Sequence, residues 1–268
     1  MSAAPVEGVE VVQDETVLRV RLDRPRRKNA LSPIAIRAII DALEGASTTD
    51  SLRVVVLESA NRDFCSGADW VATNSKDGPR PRAGSIQRRT PVQAHRLIHL
   101  ITELQLPVVA AVRGWAAGLG CQLALAADFT VAAGTSRFWE PFLTRGFTPD
   151  SGATWLLPRL VGVARAKELL LLGRELSGAE AAEWGLIHRA VPEADLDEAV
   201  DELVGRLAAA PTVAVGLTKR CINRALDSSL LHALEGEANA LELSSRTGDF
   251  REGLAAFREN RPAQFEGR

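Results

Sequence analysis

Two almost wholly apolar, β-branched runs constrain the fold of this chain more than any other feature. They are LRVVVL at 52–57 and VVAAV at 108–112, and residues 92–104 between them place apolar side chains at helical spacing. Uninterrupted β-branched runs are typical of strands covered on both faces, as in parallel sheets. A strand, a helix and a second strand therefore predict an α/β fold.

Local patterns predict further elements. Residues 9–13 and 17–22 predict a hairpin around Asp14-Glu15, because 18–22 alternate apolar and charged residues. Ser32 followed by Pro33 predicts the start of a helix that runs through residue 43. The chain from Thr148 onward is expected to be nearly all helical. Its predicted capping boxes are Ser177 with Glu180 and Asp195 with Glu198.

Residues 73–91 differ from the rest of the chain in composition. They are rich in Ser, Pro, Arg and Gly and nearly free of large apolar side chains. This composition predicts a mobile surface loop. A loop of this length in a compact domain is often an active-site lid.

Composition excludes several classes of protein. The 268 residues carry 32 basic and 34 acidic side chains, so a net charge of −2 gives no field that draws the molecule to nucleic acid or an anionic membrane. The three cysteines are odd in number and form no C-x-x-C pair, which argues against a disulfide framework and a cysteine zinc site. No export signal or membrane span is predicted, so we expect a cytoplasmic protein. The absence of tyrosine removes the phenol as a catalytic acid.

Two segments of small residues follow the predicted strands. They are FCSGADW at 64–70 and GWAAGLGCQ at 114–122, the second leading into a helical run. A strand, a glycine turn and a helix N-terminus form a site for an anion, and two such turns could each supply one backbone N–H to a developing oxyanion. Two alternatives remain open: small residues that only allow close packing, and an incomplete dinucleotide-binding G-x-G-x-x-G.

Several longer blocks occur in a fixed order along the chain. They are Arg24-Pro25 with Asn29-Ala30, then FCSGADW, PVVAAVRGWAAGLGCQLALAADF, GFTPDSGATWLLPRLVG, ARAKELLLLGREL, AAEWGLI and EGLAAFRENRPAQF. Together these blocks, which cover nearly the whole chain, resemble the crotonase (enoyl-CoA hydratase/isomerase) superfamily.

The resemblance implies an α/β fold of the ClpP/crotonase type, a spiral of ββα units with a helical C-terminal trimerisation region. It divides the chain into a core with the acyl-CoA site at 1–200 and a helical region at 201–268. It also implies a homotrimer, or a hexamer built as a dimer of trimers. The expected small-molecule partner is an acyl-CoA thioester; no nucleic acid, membrane, metal or cofactor beyond the CoA of the substrate is expected.

The resemblance also assigns roles to individual residues. The backbone N–H groups of Ala68 and Leu119 would hold the oxygen of a thioester enolate, and Leu119 stands where most members carry glycine. Preorganised N–H donors of this kind stabilise developing charge, and losing one costs roughly 3–4 kcal/mol. The residues expected to contact the substrate or its CoA are Lys28, Ala30, Ser66, Gly67, Asp69, Trp70 and Gly118.

A basic cluster comprises Arg24, Arg26, Arg27 and Lys28, where the family meets the adenosine and phosphate end of CoA. For any one of the three arginines a solvated charged loop is the competing interpretation. Lys28 is our candidate for a phosphate or adenine contact.

The acid and base groups separate the reactions of this family. Hydratases of the family resemble one another in carrying two glutamates. The corresponding positions here are Gln122 and Phe142, neither of which can act as a base. Asp150 matches an acidic residue of the branch similar to ring-epoxyphenylacetyl-CoA isomerases, and it is our candidate general base. One alternative is that Thr148 caps a helix and Asp150 only favours its dipole; another is that Glu140 replaces the missing glutamate.

The favoured function is therefore double-bond isomerisation of an unsaturated acyl-CoA through an enolate. The alternatives are a hydratase that uses Asp150 or Glu140, a weakly active acyl-CoA-binding subunit, and a nicotinamide dehydrogenase suggested only by the glycine pattern. His95 and His99 share a helix face without the intervening glutamate of H-E-x-x-H, which favours a role other than metal binding. Cys65 could be a nucleophile, although a buried packing residue is the expected role.

Overall fold

A computed structural model describes residues 5–69 and 82–268 of the chain. Trp70 and residues 73–81 of the predicted loop therefore lie outside the described residues. Among those described, no helix is both long and apolar enough to cross a membrane.

The described residues form nine strands in two sheets: β1 (Val9–Asp14), β2 (Val17–Leu22), β3 (Val54–Ser59), β4 (Val108–Val112), β5 (Trp115–Ala117), β6 (Phe129–Ala133), β7 (Arg137–Trp139), β8 (Leu176–Ser177) and β9 (Arg189–Val191). The larger sheet has the strand order β1-β2-β3-β4-β6-β9, and the smaller sheet has the order β5-β7-β8. The predicted hairpin is confirmed by antiparallel pairing of β1 with β2, whereas β2, β3, β4, β6 and β9 pair in parallel. The prediction of an α/β fold is thus confirmed.

The helices follow the strands in a mixed order. Their bounds are α1 (Pro33–Ala46), α2 (Ser85–Arg89), α3 (Ala94–Glu103), α4 (Leu119–Ala126), α5 (Ala153–Leu172), α6 (Gly178–Glu183), α7 (Leu196–Ala208), α8 (Thr212–Ala225), α9 (Leu230–Ser244) and α10 (Gly248–Glu259). The backbone of α5 leaves the helical conformation at Gly162. Ser32 caps α1 as predicted, since its side chain accepts a hydrogen bond from the N–H of Ala35.

Alternation along β3 explains why its sequence is apolar throughout. Val54 and Val56 belong to the core on one face of the sheet, which α7 covers. Val55 and Leu57 belong to the larger core on the other face. Successive side chains of a strand point to opposite faces, so a strand with two covered faces needs apolar residues at every position.

Three predictions about secondary structure need correction. The described part of the loop predicted at 73–91 is helical in α2 and in a 3-10 turn at Thr90–Val92. The chain after Thr148 is not all helical, because β8 and β9 add strands to the two sheets. Ser177 and Glu180 form the predicted capping box, but Asp195 has helical backbone angles at the end of a 3-10 turn, and its side chain caps nothing.

The C-terminal region is attached to the core through α8. The ammonium group of Lys219, which is buried, lies 2.6 Å from the carboxylate of Asp128 and also donates to the carbonyl oxygens of Ile101 and Leu106. Helix α9 packs on α8. The expected division of the chain at 200/201 falls inside α7, and it stays a prediction.

Candidate active site

The first small-residue segment lies between two other stretches of backbone. Cys65 forms a parallel bridge with Ala116, and Leu31 forms one with Ala68. In the second bridge, Leu31 donates its N–H to the oxygen of Gly67 and accepts a hydrogen bond from the N–H of Asp69. Because these bonds use the groups on either side of Ala68, its own N–H faces away from Leu31.

The second segment turns sharply before α4. Gly118 has φ 51° and ψ −126°, a conformation that favours glycine, and its N–H donates to the oxygen of Trp139. Leu119 is the first residue of α4, so its N–H has no acceptor within the helix. Every residue of α4 is buried, so packing holds this helix in place.

The two segments approach each other so closely that glycine is required at two positions. A Cβ atom on Gly67 would lie 2.8 Å from the oxygen of Ala117 and 3.4 Å from the nitrogen of Leu119. A Cβ atom on Gly120 would lie 2.2 Å from the oxygen of Cys65. The packing interpretation of these small residues is therefore correct, and this packing is also what brings the two turns together.

One small cavity, with a volume of about 30 Å³, unites the predicted catalytic residues. Ala68, Leu119 and Asp150 all belong to its wall. The other lining residues are Ser66, Gly67, Ala94, Gly118, Pro141, Phe142, Arg145, Phe147 and Ser151. The residues that carry two backbone donors and one carboxyl group thus line the same space, as enolate chemistry requires.

Asp150 precedes a helix rather than beginning one. Ser151 and Gly152 both have positive φ, and α5 starts only at Ala153 with Gly152 as its N-cap. The alternative in which Thr148 is the cap and Asp150 lies in the first turn is therefore wrong. Burial raises the pKa of Asp150, while the Ser151 hydroxyl and the charge of His95 act in the opposite direction.

The two positions that match the hydratase glutamates do not offer a base to the cavity. Gln122 is buried and donates from Nε2 to Oε1 of Glu140 at 2.6 Å. Phe142 is buried and meets Phe147 edge to face, with ring centroids 5.6 Å apart. Glu140 is itself buried next to Pro141, which lines the cavity, and burial raises the pKa of Glu140 to about 8.

The basic turn is attached directly to the first segment. The oxygen of Lys28 accepts a hydrogen bond from the N–H of Ser66, and the ammonium group of Lys28 lies 5.6 Å from the centroid of the Trp115 ring. Lys28 is exposed, as are Arg26 and Arg27. Arg24 differs, because it donates to the oxygen of Ala30 at 2.6 Å and its guanidinium lies 3.6 Å from the carboxylate of Asp69.

Asn29 holds this turn in place, a role that the sequence motif alone did not reveal. Its side chain accepts a hydrogen bond from the N–H of Arg24 and donates to Ser59 Oγ and to the oxygen of Asp63. Asn29 has φ 55°, and its side chain is buried. A short side chain that tolerates positive φ and offers both a donor and an acceptor is required here.

The remaining predicted residues divide into three groups. Ser66 and Gly118 line the cavity. The side chain of Asp69 is buried beside Arg24. Trp70 lies outside the described residues. Cys65 is a packing residue: burial raises its pKa to about 12, which leaves the thiol protonated and unsuited to nucleophilic attack. Among the described residues, no group of three or more His, Cys, Asp or Glu side chains is arranged to hold a metal ion.

Comparisons with known proteins agree with this geometry. The profile of the enoyl-CoA hydratase/isomerase family matches residues 12–268. The chain is 37% identical over 257 residues to 1,2-epoxyphenylacetyl-CoA isomerase from Escherichia coli (strain K12), covering 95% of this chain and 97% of the relative. It is 32% identical to 4-chlorobenzoyl coenzyme A dehalogenase-2 from an Arthrobacter species, covering 96% and 93% of the two chains.

The fold comparison gives the same answer. The crystal structure of enoyl-CoA hydratase from Bacillus anthracis superimposes with a TM-score of 0.89 at 32% identity, covering 98% of this chain and 100% of the other. These similarities confirm the crotonase-like fold and exclude the dehydrogenase suggested by the glycine pattern. The chain belongs to the enoyl-CoA hydratase/isomerase family and is an enzyme of that family acting on an acyl-CoA.

Proposed function

We propose that this enzyme moves a double bond within an unsaturated acyl-CoA, with Asp150 as the base and acid and with the N–H groups of Ala68 and Leu119 holding the enolate oxygen. One observation carries the proposal. Asp150 shares a cavity with both N–H donors, whereas the positions of the two hydratase glutamates hold Gln122 and Phe142. The site thus offers one carboxyl group to the substrate instead of two.

The reaction is a proton relocation that needs a single acid and base. Asp150 as a carboxylate removes a proton from the α-carbon of a 3-enoyl thioester. The electron pair of that C–H bond forms a double bond to the carbonyl carbon, and the C=O π electrons move onto the thioester oxygen. The neutral Asp150 then returns the proton to the γ-carbon, which leaves a 2-enoyl thioester. Neither electrons nor water are exchanged overall, so the chemistry requires no redox cofactor.

The surroundings of Asp150 suit this task. A general base is most effective when its pKa lies near the operating pH, and burial raises the pKa of Asp150 above its ordinary value. Phe142 and Phe147 form an apolar wall beside it. The N–H groups are most useful in such a place, because donors in a water-poor site stabilise an oxyanion more than they would in water.

The direct test uses wild type and Asp150→Asn in deuterated water with a panel of 2-enoyl- and 3-enoyl-CoAs. Double-bond migration, hydration and deuterium incorporation are followed by NMR and mass spectrometry. We expect wild type to isomerise 3-enoyl-CoA and the variant, which keeps the side-chain shape but cannot accept a proton, to be slower by about 10²–10⁴-fold.

Two results would contradict the proposal. Isomerisation that persists undiminished in Asp150→Asn would remove Asp150 from its role. Water addition as the main reaction of wild type would favour the hydratase alternative. Asp150→Glu is the matched control, because it keeps a carboxyl group and should recover part of the lost rate.

We also propose a homotrimer, or a hexamer of two trimers, in the cytoplasm. Support for the assembly comes from α9, in which no residue is buried and several leucines are exposed. Large exposed apolar surfaces of this kind are typical of protein interfaces. The mass in solution, measured by light scattering, tests the assembly.

We propose in addition that Lys28, Ala30, Ser66, Gly67, Asp69, Trp70 and Gly118 contact the acyl-CoA. Support comes from Ser66, Gly67 and Gly118 in the cavity wall and from the exposed ammonium group of Lys28 nearby.

A further inference from the structure

A buried acid and amide pair lies beside residues that line the candidate catalytic cavity. It consists of Glu140, which follows β7 and is 2% exposed, and Gln122 on α4, which is fully buried. The two side chains share one hydrogen bond, from Gln122 Nε2 to Glu140 Oε1 at 2.6 Å. The mechanism proposed above uses neither residue, although both are polar groups whose burial is costly.

The hydrogen bonding of this pair is incomplete, and the atoms left without partners indicate the protonation state of Glu140. Among the described residues, Glu140 Oε2 and Gln122 Oε1 are both buried and without a hydrogen-bond partner. An ionised Glu140 would leave these two buried acceptors with only the weak thiol donor of Cys121 nearby. A protonated Glu140 supplies a donor, and rotation of the carboxyl and amide groups allows an acid and an amide to exchange two hydrogen bonds. Burial raises the pKa of Glu140 to about 8, in agreement with this count.

The position of the pair connects it with the oxyanion turn. The oxygen of Trp139 accepts a hydrogen bond from the N–H of Gly118, and Glu140 binds Gln122 within the first turn of α4. Both bonds tie the turn that presents the Leu119 N–H to the end of β7. Loss of either bond would free the beginning of α4 to shift, and a shift of about 1 Å is enough to weaken catalysis severely.

The charge of Glu140 also matters to its neighbours. The titratable groups that act on Glu140 are Asp150, which precedes α5, and the thiol of Cys121 on α4. His95 on α3 acts on Asp150 from the other side. An ionised Glu140 would add a second negative charge close to Asp150 and to the negative charge that develops on the enolate.

We propose that Glu140 is a positioning residue that works in its protonated form: paired with Gln122 it holds the oxyanion turn in place, and loss of its proton slows turnover by placing a second negative charge beside Asp150. This inference rests on the isomerisation proposed above. It predicts that activity depends on a group that never touches the substrate.

The test is the pH dependence of kcat/KM for isomerisation in wild type and in the variants Glu140→Gln, Glu140→Leu and Cys121→Ala. Wild type should lose activity as pH rises through about 8, where Glu140 ionises. Glu140→Gln cannot ionise but still bonds Gln122, so this loss should disappear. Glu140→Leu leaves Gln122 without its partner and should lower kcat/KM by about tenfold or more at every pH.

Cys121→Ala is the matched control. Burial raises the pKa of Cys121 well above its ordinary value, so the thiol does not titrate near pH 8. Its hydrogen bond lowers the pKa of Glu140, so in Cys121→Ala the inflection should persist and move to higher pH. The proposal is overturned when the inflection persists in Glu140→Gln, or when Glu140→Leu is as active as Glu140→Gln. If Glu140→Leu does not fold, as judged by circular dichroism, the comparison of wild type with Glu140→Gln decides by itself.

A measurement that needs no turnover separates this inference from the proposed function. The infrared difference spectrum of wild type minus Glu140→Gln, recorded at mildly acidic pH, should contain the C=O stretch of one protonated carboxyl group. Absence of that band overturns the inference even in an active isomerase. Presence of the band in a protein that isomerises no enoyl-CoA supports the protonated pair and rejects the isomerase.

Discussion

The catalytic turns and the C-terminal helices use backbone and side chains in opposite ways. At the turns that carry Ala68 and Leu119, backbone packs on backbone so closely that Gly67 and Gly120 have no room for a side chain. In α9 no residue is buried, and Leu241 remains 65% exposed. In the proposed mechanism the first region acts through the position of main-chain groups, while the second presents apolar side chains that the single chain leaves uncovered.

In the first region, Leu119→Pro should cause the largest loss of activity. Proline removes one N–H donor, yet it is well tolerated at the first position of a helix, which Leu119 occupies. We expect kcat to fall by about 10²–10³-fold with the fold intact. The measurement is steady-state kinetics with thermal unfolding as the check on folding.

Leu119→Gly is the control for this substitution. It removes the same side chain but keeps the N–H, so its kcat should stay well above that of Leu119→Pro. Equal losses in both variants would show that the side chain, and not the N–H, carries the effect.

Substitutions in the second region should disrupt assembly rather than catalysis. Leu230, Leu234 and Leu241 share one face of α9, and all three are more than half exposed. Replacing Leu234 and Leu241 with Glu should abolish association, because each leucine buried in an interface contributes about 1.5–3 kcal/mol. Light scattering should then give the mass of a single chain.

Asn239→Glu is the control for charge, because it adds a carboxylate to another face of the same helix. It should leave the assembly intact. A double-leucine variant with unchanged mass would show that α9 does not lie in the interface.

The buried pair of Glu140 and Gln122 should make the stability of the protein depend on pH. The pKa of Glu140 rises from its ordinary 4.5 to about 8 on folding, so the folded protein binds more protons between these values. The contribution of Glu140 to stability is therefore complete below about pH 4.5 and is lost as pH rises to about 8. Relative to Glu140→Gln, wild type should lose on the order of a few kcal/mol of unfolding free energy over this range.

Denaturant unfolding of both proteins at several pH values measures this difference. The comparison cancels the other titrating groups, which the two proteins share. A difference that does not change with pH would mean that Glu140 is ionised in the folded protein throughout.

The smallest effect is expected at the edge of the site. Lys28→Gln keeps a polar, slightly shorter side chain but removes its charge, so KM for acyl-CoA should rise about two- to fivefold with kcat unchanged. The difference from wild type should shrink as salt is added, since exposed charges are screened. Arg26→Gln is the control, because Arg26 is an exposed residue of the same turn. An equal rise in KM for this variant would show that the whole basic cluster shares the role.

The two regions also differ in how well a sequence predicts them. Strands β3 and β4 and helix α1 carry their own signals, because both faces of the strands are buried and Ser32 caps the helix locally. Strands β8 and β9 contain only two and three residues, too few for a periodic pattern. Their strand conformation is determined by pairing with distant partners, such as β6 for β9.

The same distinction holds within the site. Ala68, Leu119 and Asp150 belong to contiguous motifs, which is why the sequence identified them, and the structure places them on one cavity. The roles of Asn29 and Glu140 were not predictable in this way. Each depends on hydrogen bonds to residues far along the chain, Ser59 for Asn29 and Gln122 for Glu140, and such contacts exist only in the folded molecule.

The close approach of the two turns has a consequence for how this enzyme can change. In the proposed mechanism the enolate oxygen is held by main-chain N–H groups, and a substitution at position 68 or 119 leaves an N–H in place unless the new residue is proline. The shared step of the reaction is therefore insulated from most point mutations. Under the proposed mechanism, the outcome of the reaction depends on the side chains at 122, 142 and 150, so we expect a few substitutions there to redirect catalysis without rebuilding the oxyanion site.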